Sequence, residues 1–185
     1  MIYLVTGFMR SGTSAFMQGL EAGGLNVLKS DNRDKFNMGH SDGLYKPNPV
    51  SLYEMRPEEL STELLEINNN SALKVVAPQI HMLPVHEYKV ILLRRDSEEI
   101  RQSFEAAFNL KRPIEFIESN MNNLTTVLNN RKDVKEIIEV QHQDLMFNPL
   151  EVFSSLNWPI DAEKAASVID SGLYRFRKDK LVMGL

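Results

Sequence analysis

The sequence predicts an α/β domain in which a parallel sheet is flanked by helices in three layers. Short runs rich in valine, isoleucine and leucine alternate with segments of helical periodicity, and the first run leads directly into a glycine-containing loop. Strands buried on both faces of a parallel sheet form continuous apolar runs, and alternation with helices favours right-handed crossovers. We therefore expect ligands to bind at the carboxyl ends of the strands.

The size and composition of the chain limit the kinds of protein to which it can belong. Its 185 residues, 43% of them hydrophobic, are enough for one core and too few for two independent domains, so we expect a single domain over 1–185. The formal net charge is −4, so an anion must be held locally, and neither nucleic acid nor a membrane is expected as a partner. The chain has no cysteine, which excludes disulfides and thiolate metal ligands. Since no signal peptide or membrane-length apolar run is recognisable, we expect a soluble, cytoplasmic protein.

The first part of the chain predicts a strand, a loop, a helix and a second strand. Ile2 to Thr6 is an apolar, β-favouring run, and Thr13 to Ala22 has helical character until a glycine pair ends it. Leu25 to Leu28 predicts a second, short strand. Residues 29–50 are rich in Asp, Asn, Gly, Ser and Pro, which predicts a long loop that is either a functional lid or locally disordered.

The rest of the chain predicts alternating helices and strands. A helix is expected from Pro57 to about Ile67, because proline is favoured in the first turn of a helix. Further strands are predicted at Ala72 to Ala77, Lys89 to Leu93 and Val134 to Val140. Further helices are predicted after Leu93, after Pro113, at Pro149 to Leu156 and at Asp161 to Ile169, with Asp96 as a helix cap. Apolar positions at helical spacing are predicted to be core: Ile100, Phe104, Ala107, Phe108, Ile117, Met121, Leu124 and Leu128.

The loop after the first strand carries the clearest chemical signal. Residues 7–14, GFMRSGTS, have the spacing of a phosphate-binding P-loop, with Thr13 where nucleotide triphosphatases carry lysine. Gly12 lets the backbone approach an anion, and the following helix offers its positive end. Arg10 supplies a cation from within the loop, and the hydroxyls of Ser11, Thr13 and Ser14 add donors. We therefore predict an oxyanion site on a fold of the P-loop NTPase type.

Two segments resemble the phosphate motifs of the sulfotransferases. The run Arg-Ser-Gly-Thr-Ser at residues 10–14 resembles the family's 5′-phosphosulfate loop, in which lysine or arginine precedes Ser-Gly-Thr-Thr or Ser-Gly-Thr-Ser. Residues 89–103, KVILLRRDSEEIRQS, resemble its 3′-phosphate motif, in which a strand ends in arginine and serine follows eight positions later, as Arg95 and Ser103 do. Arg94 is one position out of that register. The plain alternative for Arg95 is a surface ion pair with Glu98 or Glu99.

Two weaker similarities extend the resemblance over most of the chain. Residues 143–149, QDLMFNP, are similar to the family's Glu-Asp-Leu … Pro segment before a helix. Residues 48–54, NPVSLYE, resemble the Asn-Pro-x-Gly-x-x-Glu stretch of the short bacterial members, with Ser51 in place of glycine.

The resemblance implies a sulfotransferase. Its donor would be 3′-phosphoadenosine 5′-phosphosulfate (PAPS), its product adenosine 3′,5′-bisphosphate (PAP), and its acceptor a hydroxyl or amine on a small molecule or glycan. Arg10 would stabilise charge on the departing phosphate oxygen, while Arg95 and Ser103 would close on the 3′-phosphate. No metal is expected, because both the loop lysine and an aspartate at the end of the strand Val90 to Leu93 are missing.

The general base is the least defined part of this site. Cytosolic family members place histidine in a Lys-Thr-His-x-Pro segment, but residues 74–78, KVVAP, have Val76 there. Glu54 is the predicted base, with His40 and His81 as alternatives; for each, the plain alternative is a structural or surface residue.

The sequence leaves two alternative roles for each of the other basic residues. Lys74 either contacts the ligand or is solvated at a strand end. A basic cluster at Arg175, Arg177 and Lys178 either covers the nucleotide, as a basic loop does in the family, or is a solvated tail. Two rival functions also stay open: a small-molecule or nucleotide kinase with a degenerate P-loop, and a non-catalytic nucleotide-binding module.

Overall fold

The computed structural model describes residues 1–29 and 59–176. Within them, four parallel strands form one sheet in the order β2-β1-β3-β4. The strands are β1 (Ile2–Gly7), β2 (Ala72–Lys74), β3 (Tyr88–Arg94) and β4 (Val134–Gln141). The predicted α/β class and the parallel sheet flanked by helices are confirmed. Since β1 lies between β2 and β3, its loop leaves the sheet with a neighbouring strand end on each side.

Helices lie against both faces of the sheet. They are α1 (Thr13–Ala22), α2 (Thr62–Ile67), α3 (Ser97–Phe108), α4 (Ile114–Asn130), α5 (His142–Phe147), α6 (Pro149–Ser154) and α7 (Ala162–Ser167), with 3-10 helices at Ala77–Met82 and Ser171–Leu173. Side chains of β1 alternate between two apolar clusters, because successive residues of a strand point to opposite faces. Leu4 packs with Ile100 of α3, whereas Val5 packs with Phe16 of α1 and Phe153 of α6. No helix in the described ranges is both long and apolar enough to cross a membrane.

Two of the predicted strands differ from the structure. Leu25 to Leu28 is not a strand, because only Val27 forms a bridge, with Ala72. β2 has three residues, so it offers little edge for further pairing. The strand predicted from Ala72 to Ala77 ends at Lys74, and a 3-10 helix follows that contains Pro78 near its start. Proline has no N–H to donate to the ladder, which favours this early end.

Three details of the helices also differ from the prediction. α2 begins at Thr62, where the Ser61 hydroxyl accepts the Leu64 N–H at 3.0 Å and caps the helix, so the helix does not include Leu60 and Ser61, contrary to the prediction. Residues 57 and 58 lie outside the described ranges. The segment expected only to precede a helix contains a helix of its own, α5. Phe108, predicted to be core, is 42% exposed in the last turn of α3, where its ring contacts that of Phe104.

The helix starts nearest to the loop agree with the sequence. α1 has its predicted bounds, with Gly12 as its N-cap in the left-handed conformation at φ 94°. The carboxylate of Asp96 accepts the N–H groups of Glu98 and Glu99 and caps α3, as predicted. This cap holds the first turn of α3 at the end of β3, next to the loop.

Candidate functional site

The loop between β1 and α1 has a backbone shape suited to an anion. Arg10 has φ 74° and Gly12 has φ 94°, both in the left-handed region, and Ser11 N–H donates to the Phe8 carbonyl at 3.1 Å. Left-handed residues within such a turn direct backbone N–H groups into a shared concavity. The first turn of α1 follows directly and has no side-chain cap, so its N–H groups add to the positive potential.

The structure brings the two phosphate motifs into direct contact. Arg10 Nε donates to Ser103 Oγ at 3.1 Å across 93 positions of sequence. Arg95 Nη1 donates to the carbonyl oxygen of Arg10 at 2.8 Å. Ser103 is buried on α3, and Arg95 directly follows β3. Three of the predicted site residues therefore form one cluster at the carboxyl end of the sheet.

Arg95 is also bound to the protein on its other side. Its Nε donates to Glu99 Oε2 at 3.0 Å, and its Nη2 donates to the carbonyl of Phe176 at 2.9 Å. The side chains of Arg95 and Glu99 are only 7% and 5% exposed. The alternative of an ion pair is thus confirmed for Glu99, but the pair is buried rather than on the surface.

This ion pair leaves part of the guanidinium group available. Arg95 has five N–H groups. Three donate to Glu99, Arg10 and Phe176, and the other two have no acceptor in residues 1–29 and 59–176. Its role as a phosphate ligand stays a prediction. Arg94, one position out of register, instead donates to Glu139 at 2.7 Å and to Thr125 at 3.0 Å.

A tyrosine from the C-terminal part of the chain completes this network. Tyr174 OH lies 2.9 and 2.8 Å from the two carboxylate oxygens of Glu99, and its ring centroid lies 5.2 Å from Arg95 Cζ. The tyrosine ring packs edge-on against His142 and tilted against Phe147. Glu99 therefore accepts hydrogen bonds from both a guanidinium and a phenol.

Lys74 approaches the loop from the opposite side. Its ammonium group donates to Ser14 Oγ at 2.8 Å, and the residue is only 4% exposed. Lys74 ends β2, and Ser14 lies in the first turn of α1. Of the two roles left open by the sequence, solvation at a strand end is wrong, and contact with a ligand stays a prediction.

The hydroxyls predicted to contact the anion differ in their surroundings. The Ser11 hydroxyl is buried, lies 2.5 Å from where a Cβ on Gly7 would stand, and has no hydrogen-bond partner in the described part of the chain. It therefore points back into the loop. Thr13 is buried, and Ser14 is partly buried. Their predicted contacts with an anion stay predictions.

His142 is a site residue that the sequence reasoning missed. It follows β4, is 5% exposed and packs so closely on the loop that a Cβ on Gly12 would lie 2.6 Å from its Cδ2. Burial, and then the charges of Arg95 and Arg10, lower the pKa of His142 to about 3, so the imidazole is neutral near pH 7. Its Nδ1 is buried without a hydrogen-bond partner among the described residues. The available signal was a histidine at the carboxyl end of a predicted strand.

A cavity of about 290 Å³ lies where β3 and β4 end. Its walls include Arg95, Glu99, His142, Gln143 and Tyr174. All five of these side chains carry hydrogen-bonding groups, so the cavity suits a ligand with polar edges. It lies between the ends of these two strands and Tyr174.

Several predicted residues lie outside this cluster. Glu54, His40, Arg177 and Lys178 fall outside the described ranges, as do residues 30–50 of the predicted lid. His81 is exposed on the 3-10 helix after β2. Within residues 1–29 and 59–176, no group of three or more His, Asp or Glu side chains is arranged to hold a metal ion.

Comparison of the chain with protein-family models and with curated protein sequences finds no match.

Proposed function

We propose that this chain is a sulfotransferase of the P-loop NTPase fold, which transfers a sulfuryl group from PAPS to a hydroxyl or amine of a small molecule or glycan. The observation that carries this proposal is the contact between the two motifs. Arg10 lies 3.1 Å from Ser103, and Arg95 lies 2.8 Å from the Arg10 carbonyl. A ribose that carries 3′- and 5′-phosphates needs two anion sites close together, and these residues supply them.

The described residues fit such a donor in three places. The loop N–H groups, the start of α1 and Arg10 would hold the 5′-phosphosulfate. The two N–H groups of Arg95 without an acceptor in the described chain, together with Ser103, would hold the 3′-phosphate. The cavity beside Arg95 would take the adenosine, whose polar edges would meet the hydrogen-bonding groups of its walls.

Transfer would require one bond to form and one to break. The acceptor oxygen or nitrogen bonds to sulfur as the bond from sulfur to the bridging phosphate oxygen breaks, and the acceptor's proton passes to a base. Arg10 and the first turn of α1 would stabilise the negative charge that grows on the phosphate oxygen. Lys74 would add positive charge from the β2 side. Glu54 is the proposed base.

Calorimetric titration with PAP, and separately with ATP and magnesium, tests the proposal. We expect binding in the micromolar range for PAP and much weaker binding for ATP with magnesium. Arg10→Ala should weaken PAP binding by about 1.5–3 kcal/mol, because one charge-assisted contact is lost. Arg101→Ala is the matched control: Arg101 lies on α3 and pairs with the partly exposed Glu98, so PAP affinity should not change. Absence of PAP binding, or equal effects of the two substitutions, would contradict the proposal.

One observation supports a kinase as the second candidate. The sequence lacks the P-loop lysine at Thr13, but the structure brings the ammonium of Lys74 to within 2.8 Å of Ser14, the next residue. A lysine from a neighbouring strand would then serve the phosphates of ATP. Preferential binding of ATP with magnesium, lost in Lys74→Met, would favour this function over sulfuryl transfer.

A further inference from the structure

We propose that Glu99, held by the hydroxyl of Tyr174, is a positioning residue for this site. It orients Arg95 and, through Arg95, sets the shape of the anion loop. The inference rests on the proposed function where it treats the oriented site as one for PAP. The orientation of Arg95 itself can be measured without any ligand.

Burial makes the ion pair necessary. A guanidinium whose side chain is 7% exposed is unfavourable without a counter-charge, and Glu99 supplies that charge at 3.0 Å. The spacing between Arg95 and Glu99 is four residues, and the Asp96 cap holds the intervening turn. The position of the carboxylate is therefore fixed by the start of α3.

The carboxylate also fixes the direction of the guanidinium. The guanidinium group is planar, so a hydrogen bond from Nε limits where the two terminal nitrogens can point. With Nε on Glu99, Nη1 reaches the Arg10 carbonyl at 2.8 Å and Nη2 reaches the Phe176 carbonyl at 2.9 Å. A rotated guanidinium would lose these contacts together.

The contact with Arg10 extends the effect to the loop. Arg10 is a non-glycine residue at φ 74°, a conformation that is unfavourable for an L-residue unless its surroundings hold it. Arg95 bonds to the carbonyl of this same residue, and Arg10 Nε bonds to Ser103. The strained turn is thus held at both its main chain and its side chain.

Tyr174 is suited to fix the carboxylate. Its hydroxyl lies within 2.9 Å of both oxygens of Glu99, and its ring is packed between His142 and Phe147. The phenol therefore limits rotation of the carboxylate about its last torsion. Through these contacts, the segment after α7 acts on a loop near the start of the chain.

Tyr174→Phe and Glu99→Gln test this role while keeping the packing. Tyr174→Phe retains the ring and removes only the hydroxyl, and Glu99→Gln retains an acceptor but removes the charge. The matched control is Tyr88→Phe, because Tyr88 is buried and its hydroxyl donates to the Pro84 carbonyl at 2.9 Å, at the opposite end of β3. Each test variant should weaken PAP binding about tenfold, as expected for one charge-assisted contact, while the control binds as wild type does.

A ligand-free measurement separates positioning from a general loss of stability. In the ¹H–¹⁵N NMR spectrum, the Arg95 Nε–H should exchange slowly with solvent in wild type and in Tyr88→Phe. It should exchange faster in both test variants at temperatures where all four proteins are folded. Unchanged exchange and unchanged PAP affinity would overturn the proposal, and so would tighter PAP binding by Tyr174→Phe. If wild type does not bind PAP, the proposed function fails, and the exchange rates still decide whether Glu99 and Tyr174 orient Arg95.

Discussion

Two cations reach the loop between β1 and α1 from opposite sides, and the protein holds them in different ways. Arg95, after β3, is paired with the buried carboxylate of Glu99 and with two backbone carbonyls. Lys74, at the end of β2, donates to Ser14, which is itself a predicted ligand of the anion. A buried counter-charge therefore holds Arg95, whereas Lys74, which is also buried, donates to a neutral hydroxyl.

Replacing Arg95 and Lys74 in turn should give the largest difference in stability between the two sides of the loop. Arg95→Met would leave Glu99 buried without its counter-charge and should lower the free energy of unfolding by about 3–5 kcal/mol. Lys74→Met would remove the donor to the Ser14 hydroxyl and should lower the free energy of unfolding by about 1–2 kcal/mol. Urea denaturation of both variants measures this. Equal losses would show that the two sides do not differ as described, and the double variant Arg95→Met/Glu99→Met should recover much of the loss.

The packing of His142 against Gly12 should give the next largest effect on stability. Gly12 and Gly24 have nearly the same φ, 94° and 93°, but a Cβ on Gly12 would meet His142 at 2.6 Å, whereas one on Gly24 would meet nothing within 4 Å. Gly24→Ala should therefore lower stability by about 1 kcal/mol from backbone strain alone, and Gly12→Ala by about 2–4 kcal/mol from strain and overlap. Thermal unfolding compares the two. Similar melting temperatures would mean that His142 does not pack against the loop.

The neutral histidine beside the arginines should give a smaller, pH-dependent effect. The folded pKa of His142 is about 3, below its ordinary value of 6.5, so the unfolded chain takes up a proton below pH 6.5 while the folded chain does not. Stability should then fall as the pH falls, by up to about 1.4 kcal/mol per pH unit. Between pH 6.5 and 5, carboxylates still contribute little, so His142→Gln should remove most of this slope. An unchanged slope in denaturation at several pH values would contradict a buried neutral imidazole.

The sequence was sufficient for the elements whose signal is local. β1 and β3 contain continuous apolar runs, β4 is rich in valine and isoleucine, and α1 is bounded by glycines, so their positions followed from pattern. Leu25 to Leu28 is also rich in apolar residues, but it has only a three-residue edge to pair with, which pattern does not show. α5 was missed because six residues are too few for a clear helical period.

Only the parts of the site that lie in the two motif segments could be predicted from the sequence. Arg10, Arg95 and Ser103 were identified from two segments, and the structure brings them together. The bond from Tyr174 to Glu99 joins residues 75 positions apart, and Tyr174 lies outside both motif segments. Such contacts depend on tertiary packing, so local sequence carries no sign of them.

β1 is the first of the described strands along the chain, and it is an inner strand of the sheet. Both strands that pair with it, β2 and β3, are therefore synthesised after it. Its Tyr3 pairs with Ala72 on one side and with Lys89 on the other. Contacts between residues this far apart in sequence form only when large loops of the chain close. The entropy of loop closure is lost before the contacts stabilise the protein, which slows folding. The contacts of Ser103 and Arg95 with Arg10 require α3 and the end of β3 to be packed beside β1. A bound anion would therefore stabilise the finished protein without guiding the first steps of its folding.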